Sequence, residues 1–231
     1  MKFYVIMGLR LITPVAGIIA YLLLNMLFPQ GFTSLLHNVF VNRLASIQLI
    51  GVAIALSVMV ITVRIQPQSK TILRWGNWNA YPTDVKWLGI SSVKAWWRNA
   101  LELVIVISLA TGVFMYISVQ HFSLEKWITY LPFIVIFSLI NAFNEEIIVR
   151  FGVVGGMIDN ENAQQVWLYS AVIFGIPHYW GQPSGIIGVI MASTLGWILA
   201  KMAWETQGLG LGWLIHVIQD VIILSFIVQQ L

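Results

Sequence analysis

The chain has no cysteine among its 231 residues. That excludes disulfides, a thiolate nucleophile and cysteine metal ligands. It is also short of charge: Asp, Glu, Lys and Arg make up 9% of it, where a soluble domain carries about a quarter. No ten-residue alternation of apolar and polar residues repeats along it, which argues against a membrane barrel. What it has instead is apolar bulk. Hydrophobic residues are 59% of the sequence and the mean hydropathy is +0.85. Such a surface faces lipid rather than water. The length would suit one or two soluble domains; in a bilayer it suits about six to eight spans of roughly 20 residues.

Seven apolar runs are long enough to consider, at 10–28, 44–64, 99–120, 127–153, 165–180, 184–204 and 208–230. In hydrocarbon every backbone donor and acceptor must pair within the chain, so helices are expected there. The predicted fold is an all-α polytopic transmembrane helical bundle of about seven spans, with a polar site inside it. Lys2 precedes the first run and Arg10 opens it; the run reads as a transmembrane helix rather than a cleaved signal peptide, because it is long and lacks a small-residue cleavage site.

The net charge is +3. In a membrane chain the basic residues orient the helices, and no nucleic-acid partner is expected. Arg64, Lys70, Arg74, Lys86, Lys94 and Arg98 cluster in one segment. The opposite side holds mainly Arg43 and Lys126. The positive-inside rule then places the N-terminus and residues 64–98 in the cytoplasm, and seven spans put the C-terminus outside. The same segment carries Trp75, Trp78, Trp87, Trp96 and Trp97, a mixture suited to headgroup depth. Two regions follow: 1–98, N-terminal helices plus this basic, Trp-rich segment, and 99–231, a core carrying the chemistry. Gly155-Gly156 followed by Asp159-Asn160-Glu161-Asn162 reads as a helix stop and a polar loop.

The most informative residues are ionisable ones at bilayer depth, where each costs a few kcal/mol unless paired or wetted. They are Glu145, Glu146 and Arg150 in the fourth run, His178 in the fifth, and His216 and Asp220 in the seventh. One Glu–Arg pair could be a helix-locking ion pair, and a lone histidine a packed core residue. Six such groups on three helices are most cheaply satisfied by meeting in one place. Glu146 and Arg150 are four apart, in the favourable order for an ion pair on one helix face. His216 and Asp220 are also four apart, as are Phe174 and His178. Glu145 points about 100° away from Glu146 and can face another partner. A carboxylate in a dry pocket beside histidines can act as a general base towards water. Pro177 loosens the helix ladder next to His178. Lys201 and Glu205 read as an interfacial ion pair, Glu102 and Glu125 as solvated, and the glycines at 185, 188 and 196 as helix-packing positions.

Three motifs stand in order: E-E-x-x-x-R at 145–150, F-x-x-x-H at 174–178 and H-x-x-x-D at 216–220. Their order and spacing over roughly 127–230 resemble the CPBP family of intramembrane proteases, which includes the CAAX prenyl endopeptidases and bacterial members linked to bacteriocin processing or immunity. The stretch from His178 to Asp220 looks like a prokaryotic branch, which would place the protein in a prokaryotic cell membrane. The resemblance implies an intramembrane endopeptidase acting on a peptide or protein near the membrane surface. By position, Glu145 and His178 would activate water, His216 and Asp220 would serve the oxyanion, and Glu146 with Arg150 would support them. The last position is often Asn in the family. Asp220 cannot donate unless protonated, so it would instead orient His216 and favour its charged, donating form. The implied site needs no cofactor. A zinc alternative would use Glu145, His178 and His216. Two further readings remain open: a non-catalytic membrane protein, such as a bacteriocin-immunity factor or scaffold, and a proton-coupled transporter.

Overall fold

In the computed structural model the chain is a helical bundle. The structure describes residues 2–29, 31–32 and 38–231, and no side chain of residues 2–7 or 9, so Lys2 lies outside the described side chains. The helices are α1 (Lys2–Leu27), α2 (Val39–Ile65), α3 (Trp96–Val119), α4 (Leu124–Glu145), α5 (Ala163–Gly175), α6 (Gly185–Thr206) and α7 (Gly210–Ile227). All seven apolar runs are therefore helical. Among the described residues, six helices are long and apolar enough to cross a membrane. The other, α5, has 13 residues, about 20 Å, and ends in a 3₁₀ turn at Ile176–Tyr179. Pro177 explains the stop: it has no N–H to give the ladder and its ring crowds the preceding turn.

The helices alternate in direction. At one end Arg10 of α1 is ion-paired with Asp159, and the 66–98 segment covers the turn between α6 and α7, where Leu209 N donates to Arg74 O over 2.9 Å. At the other end His121, after α3, lies 2.9 Å from the carbonyl of Gln229, after α7. The Ser123 amide donates to the Gln229 side chain at 2.7 Å. Ser123 also caps α4, its hydroxyl accepting from Lys126 N.

Between Glu146 and Gly155 the fourth helix changes winding and continues as a π segment, every residue of which is buried. α1 and α2 pack on this segment. A Cβ on Gly152 would lie 2.9 Å from Pro14 Cβ, so the missing side chain lets α1 approach. The polar loop begins after Gly155-Gly156, as the sequence indicates. The core cluster around Phe151, Val153, Val154, Trp167 and Phe174 lies against the same segment. The result is a rigid wall behind Glu145.

Residues 66–98 are not a continuous amphipathic helix. They form a compact cap with two short 3₁₀ turns, Pro67–Ile72 and Lys86–Leu88, and a bridge pairing Val85 with Ile90.

Candidate active site

Glu145 is the last residue of α4 and Glu146 the first of the π segment. Their environments differ. Glu146 is 2% exposed and accepts an ion pair from Arg150 at 3.0 Å, while Glu145 is 21% exposed and lines a cavity of about 290 Å³. Arg150 is completely buried, with its guanidinium carbon 4.0 Å from the Phe174 ring centroid. The carboxylate and the aromatic face together compensate its charge. The expected ion pair is thus present, and the guanidinium reaches across to the helix bearing the F-x-x-x-H motif.

His216 enters from α7, six residues after Gly210 and therefore about 9 Å along the helix. Its Nδ1 is 2.9 Å from Glu146 Oε1, and its Nε2 is 3.4 Å from Glu145 Oε2 and 3.8 Å from Asp220 Oδ1. The two glutamates do point apart, as helix geometry requires, yet they meet opposite nitrogens of one ring. With carboxylates on both sides, the ring suits the form that donates from both nitrogens. The Phe174 ring stands edge-on to His216, with centroids 5.5 Å apart.

His178 sits in the turn that ends α5. Its Nδ1 is 2.9 Å from the Phe174 carbonyl, an arrangement in which Nδ1–H donates and Nε2 keeps its lone pair. It lines the same cavity as Glu145, His216 and Asp220. Four of the six expected residues therefore border one space, and Glu146 with Arg150 lies directly behind them.

The sequence reading missed a set of amides. Asn141, one turn before Glu145, donates from Nδ2 to Glu145 Oε1 at 3.2 Å and to Asp220 Oδ2 at 3.1 Å. Its Oδ1 accepts from Gln48 Nε2 of α2 at 3.3 Å. Asn144 Nδ2 in turn donates to the backbone and side-chain oxygens of Gln48 at 3.2 and 3.1 Å. One amide thus bridges the two carboxylates, and two more fix its orientation. Tyr21 of α1 also lines the cavity. The available signal was the run Asn-Ala-Phe-Asn-Glu-Glu: amides in an apolar span need partners just as charges do.

The zinc alternative requires Glu145, His178 and His216 to aim lone pairs at one point. Here Glu145 Oε2 and His216 Nε2 face each other across 3.4 Å, and His178 Nδ1 is turned to a carbonyl. Among the described residues no group of three His, Asp or Glu side chains is arranged to hold a metal ion.

This geometry coincides with a family match. Residues 127–222 fit the family model for type II CAAX prenyl endopeptidase, Rce1-like. Over this stretch the chain is similar to the Rce1-like family. No curated protein and no solved structure matches it. The family is one of intramembrane endopeptidases, and the Rce1-like stretch contains all three motifs and Asn141. Tyr21 and Gln48 come from outside it, on α1 and α2. The molecule is thus an integral, multi-pass membrane protein with an Rce1-like core.

Proposed function

We propose that the chain is a glutamate-type intramembrane endopeptidase in which Glu145 and His178 activate a water. The observation that supports this is the asymmetry of the adjacent carboxylates: Glu145 opens to the cavity, and Glu146 is closed off by Arg150 and His216. Glu145 takes a proton from water while His178 Nε2 helps to orient it, and the oxygen attacks the scissile carbonyl. Doubly protonated His216 donates to the oxyanion that forms. Asp220 and Glu146 hold that ring in its donating form. Collapse of the tetrahedral intermediate breaks the C–N bond, and the proton held by Glu145 passes to the leaving amine. The substrate in this reading is a peptide or protein segment at the membrane surface, its side chains received by the largely aliphatic cavity walls. We place the basic end of the bundle in the cytoplasm.

The test is to replace Glu145 by Gln or Ala and identify the membrane peptide that accumulates uncut. Both variants are expected to insert normally and to lose cleavage by roughly 10²-fold or more. Full activity in either sinks the mechanism; a wild-type protein that cuts no more than the variants favours a non-catalytic role. A chelator is expected to leave cleavage unchanged; loss of activity that zinc restores would instead support the metal alternative.

A further inference from the structure

The cap formed by residues 66–98 joins the end of one membrane-spanning helix to the start of another, so it lies at a membrane surface. Its outer side is basic and aromatic. Arg64, Lys70, Arg74, Lys86 and Arg98 are exposed, while Lys94 is paired with Glu102. Trp87 is 75% exposed and Tyr81 67%. The only acid between Arg64 and Arg98 is Asp84. Hydrogen bonds from Ser92 lower its pKa, outweighing a small opposing effect of desolvation.

The inner side is fastened to the active-site helix. Arg74 Nε donates to Gln207 O at 2.9 Å, Leu209 N to Arg74 O at 2.9 Å, and Asn77 N to Thr206 O at 2.8 Å. The Trp75 ring meets Trp213 edge-on at 5.9 Å, three residues before His216. A Cβ on Gly210 would fall 2.2 Å from the Trp75 ring. Lys201, fully buried, bonds to Glu205 at 2.5 Å and to Thr83 of the cap. Glu205 also accepts from Thr83 Oγ1 at 2.6 Å and from Trp96 Nε1 at 3.0 Å.

We infer that the cap is a docking surface for the anionic phospholipid headgroups of the surrounding bilayer, and that their binding steadies the start of α7 and with it His216. Charge complementarity selects the occupant: each cation near an anionic membrane surface is attracted, and exposed indole rings anchor at headgroup depth. The fastening transmits the effect. Any consequence for turnover rests on the protease reading; binding and stiffening do not.

The test reconstitutes the full chain in vesicles of phosphatidylcholine alone and of phosphatidylcholine with phosphatidylglycerol. The unfolding midpoint and hydrogen exchange at residues 206–216 are then measured. With the anionic lipid the midpoint is expected to rise by roughly 5 °C, and exchange at 206–216 to slow. Lys70→Gln, Lys86→Gln and Arg98→Gln together spare the fastening and are expected to abolish both effects while the protein stays folded in the neutral lipid. Trp75→Ala is expected to keep the midpoint rise but lose the slowed exchange. A midpoint indifferent to the anionic lipid, or a full response in the triple variant, overturns the docking surface. Unchanged exchange at 206–216 despite a raised midpoint overturns the coupling. Neither readout needs turnover, so an inactive protein would count against the protease reading alone.

Discussion

Asn141 holds two carboxylates with one amide, and its own carbonyl is pinned by Gln48. Asn141→Ala leaves Glu145 and Asp220 without that shared donor. A hydrogen bond to a charged group contributes about 1.5–3 kcal/mol, so cleavage is expected to slow by roughly 10- to 100-fold. Asn141→Asp should be slower still, because it sets a third carboxylate between two others; equal rates for the two variants would contradict the bridging role. Arg150→Met leaves the buried Glu146 with only His216 against it, which costs up to about 3–5 kcal/mol and should show as a lowered unfolding midpoint. The motif residues were legible because charge in an apolar run stands out. Asn141, Asn144 and Gln48 were less so, because uncharged amides blend into ordinary span composition. The asymmetry between Glu145 and Glu146 needed the actual neighbours.

At the scale of elements, the sequence placed every helix, since each rests on an apolar run that must satisfy its own backbone. It did not show the π winding after Glu145, which no composition signals, nor the compact form of the cap. Lys201 and Glu205 form the expected ion pair, and Lys201 is buried because cap residue Thr83 and Trp96 at the start of α3 cover it together with Glu205. Removing only the cation, with Lys201→Met, should destabilise by a few kcal/mol. The double change Lys201→Met with Glu205→Gln should recover much of that loss, as thermal unfolding of the three proteins would reveal. The tie between α1 and the 156–162 loop is pH-sensitive in a definite direction. Burial acts to raise the Asp159 pKa, but the hydrogen bond and charge of Arg10 outweigh it and hold the group below its ordinary value. Its contribution is therefore complete above about pH 4, the unfolded range, and is lost as pH falls through the lower folded value. The unfolding midpoint of Asp159→Asn should lie slightly below wild type at neutral pH and converge with it in strong acid; a constant gap would contradict the pairing. The pair is half exposed on the Asp159 side, so the difference is small and salt-sensitive.

The whole molecule divides its labour along the chain. The residues proposed to perform and support the chemistry all fall within the Rce1-like stretch at 127–222. The cavity in which they would act is closed partly by other residues: Ile18, Tyr21 and Leu22 of α1, and Leu44, Ile47 and Gln48 of α2. No motif marks these positions, so sequence alone assigned them no part in the site. The Lys and Arg distribution gave an orientation, and the alternating helices are compatible with it. Because the walls and the reactive groups are encoded separately, they can vary separately. Two proteins built on this plan can carry the same six ionisable residues and still admit different side chains, simply by exchanging aliphatic residues on the first two helices. Selectivity in this architecture would then be recorded in the part of the sequence that looks least informative.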